Sequence, residues 1–178
     1  MYNKKRKKYI CVSIYVFLFL VILFFATMLY LRGNMRHIRT INFGNIIDSG
    51  NLGSLTLTIY YLDEPILTPT MSTVEQFKNR AFTSRVVIQG NELEEQARLL
   101  RLLDSTIFIP TVRNRNSLDA RLHYVFEYNG ETFIVTGWGH NNSMFVNGHE
   151  VREHPLLYEM IIPFISPWAA WSLEVRMR

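Results

Sequence analysis

The chain has 178 residues, enough for one domain plus an appendage and too few for two ordinary domains. Its formal charge of +4 is lopsided: residues 1–39 carry eight Lys/Arg and no acid, and the rest carries eleven Lys/Arg against fifteen Asp/Glu, a net of −4. The acidic body argues against a nucleic-acid footprint there, and the single cysteine, Cys11, excludes an internal disulfide or a cysteine-built zinc site.

Residues 1–8 read as a cytoplasmic basic tail, with Lys4, Lys5, Arg6, Lys7 and Lys8 flanking an apolar run. That run, residues 9–31, is 23 residues without a charge. As a helix it would span roughly 35 Å, against a hydrocarbon core of about 30 Å. Tyr9 and Tyr30 fall near its ends, where amphipathic rings prefer the interface. The expectation is a single transmembrane anchor in the lipid bilayer. Five cations precede it and three follow (Arg32, Arg36, Arg39), so the N-terminus is expected inside and the C-terminal domain extracytoplasmic. A cleaved signal peptide fits less well, since its apolar region is about 7–15 residues long and ends in a small-x-small site. A nuclear-localisation reading of the basic run is weaker still, because the run abuts the apolar segment. An extracytoplasmic domain without cysteines suits a bacterial envelope.

Residues 32–53 read as a tether rich in Gly and Asn, although Phe43, Ile46 and Ile47 are apolar enough for part of it to dock. The domain is expected over 54–178. Leu55, Leu57, Ile59 and Tyr61 alternate with Thr56, Thr58 and Tyr60 as in a strand. Ser72 and Glu75 have capping-box spacing at the start of a helix whose face carries Val74, Phe77 and Ala81. A short strand, Arg85–Gln89, precedes a helix with Leu93, Ala97, Leu100 and Leu103 in one stripe. Asn129-Gly130 and Asn147-Gly148 signal two hairpins. The first pairs Tyr128 with Glu131, Phe126 with Phe133 and Tyr124 with Val135 on its core face, leaving Arg121, His123, Val125 and Glu127 on the other. Pro155 suits the first position of a helix that Pro163 bends or ends. The order β-α-β-α-β-β-β-β-α predicts an α+β domain, a mostly antiparallel sheet with helices on one face. The apolar stretch 155–173 is not expected to be a second span, because Glu159, Pro163 and Pro167 interrupt it. Leu156, Leu157, Met160, Ile161 and Phe164 should pack on the core, leaving Trp168 and Trp171 on a tail suited to the membrane surface or a partner.

Catalytic patterns are few. His149 and His154 in "HEVREH" are five apart, which would put them roughly 140° apart on a helix, and Glu153 stands where a zinc-protease helix needs its second His. His149 follows a hairpin turn and His154 precedes a helix, so no metal site is expected; His123, His140, His149 and His154 read as surface histidines or, for His154, a helix-start residue. No nucleophile elbow, P-loop or dinucleotide fingerprint occurs, and no cofactor is expected. The candidate ligand-binding residues are Trp138, His140, Asn141 and Asn142 in a loop framed by Gly137 and Gly139. The competing reading is a plain connection between hairpins.

The stretch "HYVFEYNGETFIVTGWGHNNSMFVNGHEV", the apolar segment ending "PFI" and the basic anchor resemble small single-pass envelope proteins of Gram-positive bacteria, a group without an assigned activity. The likeness covers residues 54–165 and implies location and fold, with no site residues. The expected function is a non-enzymatic, membrane-anchored extracytoplasmic module that binds an envelope protein, a peptide or a wall polymer, and not nucleic acid. The alternative is an envelope hydrolase whose Asp, Glu and His residues converge only in the fold.

Overall fold

A computed structural model describes residues 14–27, 38, 40–63, 72–111, 120–138 and 143–177. The chain divides into two compact units, Met1–His37 and Ile38–Arg178.

In the first unit, α1 (residues 14–27) is a helix. Its 14 residues extend about 21 Å. Aliphatic and aromatic side chains lie exposed all round it, Ile14, Phe17, Phe19, Ile22, Phe24 and Phe25 among them. Its one hydroxyl group outside Tyr15, that of Thr27, bonds back to the carbonyl of Leu23 at 2.9 Å. Among the described residues, no helix is long and apolar enough to cross a membrane. The basic tail and both ends of the expected span lie outside the described residues.

The second unit is α+β. Its six-stranded sheet is antiparallel throughout, in the order β2-β1-β3-β4-β5-β6. The strands are β1 (Thr56–Leu62), β2 (Thr83–Gln89), β3 (Ala120–Tyr128), β4 (Glu131–Trp138), β5 (Ser143–Val146) and β6 (His149–Arg152). The helices are α2 (Phe43–Asp48), α3 (Val74–Lys78), α4 (Ala97–Ser105), α5 (Leu156–Glu159) and α6 (Pro167–Met177).

Both hairpins turn where Asn-Gly stands. Asn129 and Gly130, like Asn147 and Gly148, have positive φ, as a two-residue turn matched to the strand twist requires. The expected pairs Tyr128–Glu131, Phe126–Phe133 and Tyr124–Val135 form. The face bearing Leu57, Ile59, Tyr124, Phe126, Phe133 and Val135 is buried. Phe43 of α2 meets Phe126 and Phe133 edge-on at 5.1 and 5.6 Å, and the Tyr124 hydroxyl donates to the Leu157 carbonyl at 2.9 Å.

Helices were expected on one face only. Here α2 and α5 cover the core face, but α3 lies against the other, where its Phe77 packs with Ala120, Tyr60 and Phe145. The reason is amphipathicity in miniature: a five-residue helix with one large apolar side chain needs only a small patch to bury it.

The folded unit also begins before residue 54. Ile38, Ile41, Phe43 and Ile46 are buried within the stretch expected as a tether. Two side chains hold α2: Asn42 caps the Asn45 amide at 2.9 Å, and the Asp104 carboxylate of α4 accepts from the Phe43 and Gly44 amides at 3.2 and 2.6 Å.

The capping box of α3 is Thr73–Gln76, one residue later than expected, because Ser72 is buried with its carbonyl accepting from the Ala120 amide. Ala81 is exposed beyond the end of α3. The helix expected from Asn91 starts as a tight turn, Gly90–Gln96, before α4. Gly90 sits against Leu52: a Cβ there would lie 1.6 Å from the Leu52 carbonyl oxygen. The stretch 155–173 is broken near its prolines into α5, a turn at Ile162–Phe164, and α6. Leu156, Leu157, Met160 and Ile161 are buried, and Phe164 is half-buried.

Candidate functional site

A row of side-chain positions crosses the sheet on the face opposite the core. Register places Arg85 opposite Tyr60, Tyr60 opposite His123, His123 opposite Thr136, Thr136 opposite Phe145, and Phe145 opposite Glu150. Beyond β6, the Thr111 amide donates to the Glu150 carbonyl at 3.1 Å and carries the row to Thr111.

His123 is the centre of the row. Alternation along β3 puts it on the outer face, yet only 4% of its surface is exposed. Its Nδ1 lies 2.9 Å from the Thr136 hydroxyl. Among the described residues, its Nε2 is buried without a hydrogen-bond partner, as are Glu150 Oε1 and Thr111 Oγ1. Burial, and secondarily the nearby Lys78 cation, pushes the imidazole pKa down to about 4, so His123 is neutral at pH 7.

Beside it a cationic patch reaches the surface. Lys78 Nζ lies 5.4 Å from the Tyr60 ring centroid, and the Arg85 guanidinium carbon lies 5.8 Å from the same ring. Two cations on one aromatic ring, with Arg85 exposed and Tyr60 half-buried, form a polar-aromatic surface. The opposing charge is slight, since Glu75 meets Lys78 only at 3.9 Å.

Among the described residues, this geometry does not bring an acid and a base to one reacting atom. The carboxylate of the row, Glu150, is three strands from His123, about 14 Å at the usual strand spacing. Among the described residues, no three His, Cys, Asp or Glu side chains group as metal ligands. "HEVREH" forms no helix: His149 is exposed in β6, and His154 accepts from the Leu156 amide at 3.3 Å where α5 begins.

Of the candidates in the sequence, Trp138 is the last residue of β4, opposite Ala120. His140, Asn141 and Asn142 lie outside the described residues, so the structure does not join them to the His123 row. The reading of His123 as a surface histidine is corrected: α3 and its cap cover that end of the outer face. The signal available in the sequence was the polar row itself, Tyr60, His123 and Thr136, set by the hairpin register and the strand alternation.

No family model matches the chain, and no match emerges among curated proteins or among solved structures. The likeness to single-pass envelope proteins therefore rests on sequence pattern alone.

Proposed function

We propose that this chain is a membrane-anchored extracytoplasmic binding module. Residues 9–31 hold it in the bilayer, residues 1–8 stay in the cytoplasm, and the folded unit binds an envelope protein, a peptide or a wall polymer. The observation that supports the anchor is α1, a helix with large apolar side chains exposed on every side. A helix apolar all round is suited to a membrane or to deep burial, not to water. Five cations before the apolar run against three after it support the orientation.

The ligand surface in this reading is the patch of Tyr60, Lys78 and Arg85. An aromatic ring flanked by two cations offers stacking area and two donors to an acidic or carbonyl-rich ligand. The test is crosslinking and pull-down from membranes with the full chain and with a Tyr60→Ala, Arg85→Glu variant. Capture by the parent chain and loss with the variant is the expected outcome. Equal capture by both would remove the patch from the function.

The hydrolase reading has one supporting observation, the neutral His123, whose Nε2 has no hydrogen-bond partner among the described residues. It also needs a carboxylate at the same atom. Hydrolysis of wall material by the parent chain that disappears in His123→Asn would favour it over binding.

A further inference from the structure

The two edges of the sheet differ. Along β6 the chain covers its own edge: the Arg152 amide donates to the Ile109 carbonyl at 2.8 Å, the Thr111 amide donates to the Glu150 carbonyl at 3.1 Å, and Pro110 stands opposite Val151. The other edge is β2, and among the described residues no strand pairs with its outer side. Register fixes which of its backbone groups face outward. The two-residue turn at Asn129-Gly130 makes Tyr128–Glu131 a hydrogen-bonded pair, and therefore Phe126–Phe133 as well. Alternation then turns the backbone of Val125 toward Thr58, that of Leu57 and Ile59 toward Ile88 and Val86, and that of Arg85 and Val87 away from the sheet. The strand ends agree. The Thr83 amide donates to the Arg80 carbonyl at 3.1 Å and the Gln89 amide to the Glu92 carboxylate at 3.1 Å, both outside the ladder with β1. Between them, Arg85 and Val87 each keep an N–H and a C=O without a partner among the described residues.

We infer that β2 takes up a further antiparallel strand, an extended segment of a partner protein with an acidic side chain opposite Arg85. The inference rests on the patch of Tyr60, Lys78 and Arg85 as the ligand surface, and it names the occupant. Outward N–H and C=O groups at strand spacing are matched by another extended backbone. The edge lacks the usual devices against such pairing: β2 is 7 residues long, holds no proline and runs against β1 without a bulge. Val87 is 42% exposed on the outer face, the face of Tyr60 and His123. Charge selects the side chain. A residue paired with Arg85 would extend the row of Thr136, His123 and Tyr60 by one position, where Arg85 and Lys78 both lie against the Tyr60 ring. An acid there meets cations. Charge also disfavours a second copy of this chain. Strand β2 carries no acid, and pairing it with itself about Val86 would make the two Arg85 side chains diagonal neighbours on one face.

The experiment uses the full chain in detergent micelles and acetylated peptides of β2's length, alternating Thr and Val with Glu or Lys at the centre. The Glu peptide should bind about fivefold or more tighter than the Lys peptide. At about ten times its Kd it should slow hydrogen exchange of the Arg85 and Val87 amides about tenfold, read by NMR. Methyl groups on the peptide amides that face β2 should weaken binding about tenfold, and methyl groups on the alternate amides should not. Val87→Pro removes one outward donor and no bond to β1, so it should fold and bind the Glu peptide about tenfold more weakly. The methylated peptides keep the test decisive where that variant does not fold. Equal binding of the Glu and Lys peptides, or no new protection at Arg85 and Val87, would overturn the inference. So would protection of both amides without peptide in a chain that dimerises, which would make a second copy the occupant. Capture from membranes that is lost in Tyr60→Ala, Arg85→Glu but kept in Val87→Pro would overturn the added strand and leave the patch reading standing. Capture kept in both would overturn both.

Discussion

Acidification should destabilise the folded unit through His123. The imidazole has a pKa of about 4 in the folded state against 6.5 when unperturbed. Above pH 7 both folded and unfolded chains hold it neutral. As pH falls below 6.5 the unfolded chain takes up the proton and the folded chain does not, until pH nears 4. Stability is thus fully present above the unfolded value and is lost across that window. At 1.36 kcal/mol per unit, the loss reaches about 3 kcal/mol near pH 4. That is a large share of the 5–15 kcal/mol typical of a domain. The assay is urea unfolding of the fragment Ile38–Arg178 at a series of pH values, beside His123→Gln. Carboxylates titrate in the same window, so the difference between the two proteins isolates the imidazole. With a slope of about 1.5 kcal/mol per M, the parent midpoint should fall by about 2 M more than the variant's. Parallel pH dependence of the two proteins between pH 6.5 and 4 would refute the assignment of a buried neutral imidazole.

The fragment Ile38–Arg178 should fold cooperatively, while one starting at Ser54 should not. The shorter piece loses the buried Ile38, Ile41, Phe43 and Ile46, worth about 6–12 kcal/mol together; circular dichroism melts of both fragments check this. Gly90→Ala should lower stability by about 3 kcal/mol in the same urea assay, because its Cβ would collide with the Leu52 carbonyl and only backbone movement relieves that.

What could be read from residues alone was what is local. Asn-Gly demands positive φ at both turn residues, so Asn129-Gly130 and Asn147-Gly148 set both hairpins and the strand register between them. Alternation then separated Tyr124 and Phe126 from His123 and Val125. What could not be read depends on distant partners. Residues 38–53 look like a tether until Asp104, 61 positions from Phe43, caps α2 and the sheet covers the Phe43 ring. Both Ser72–Glu75 and Thr73–Gln76 fit a capping box, and the bond from the Ala120 amide to the Ser72 carbonyl accompanies the second. His123 looks like an outward residue until α3 folds over that end of the sheet, a contact with no signature in the spacing of β3. The polar row was hidden for the same reason: it assembles across six strands.

The central claim is an extracytoplasmic folded unit held by a single anchor. A cysteine placed at exposed Glu94, in a Cys11→Ser chain expressed in bacterial cells, tests it with a membrane-impermeant maleimide. The account predicts labelling in intact cells, with the label found in the membrane fraction. Labelling only after the cells are broken open would place the folded unit in the cytoplasm and contradict it.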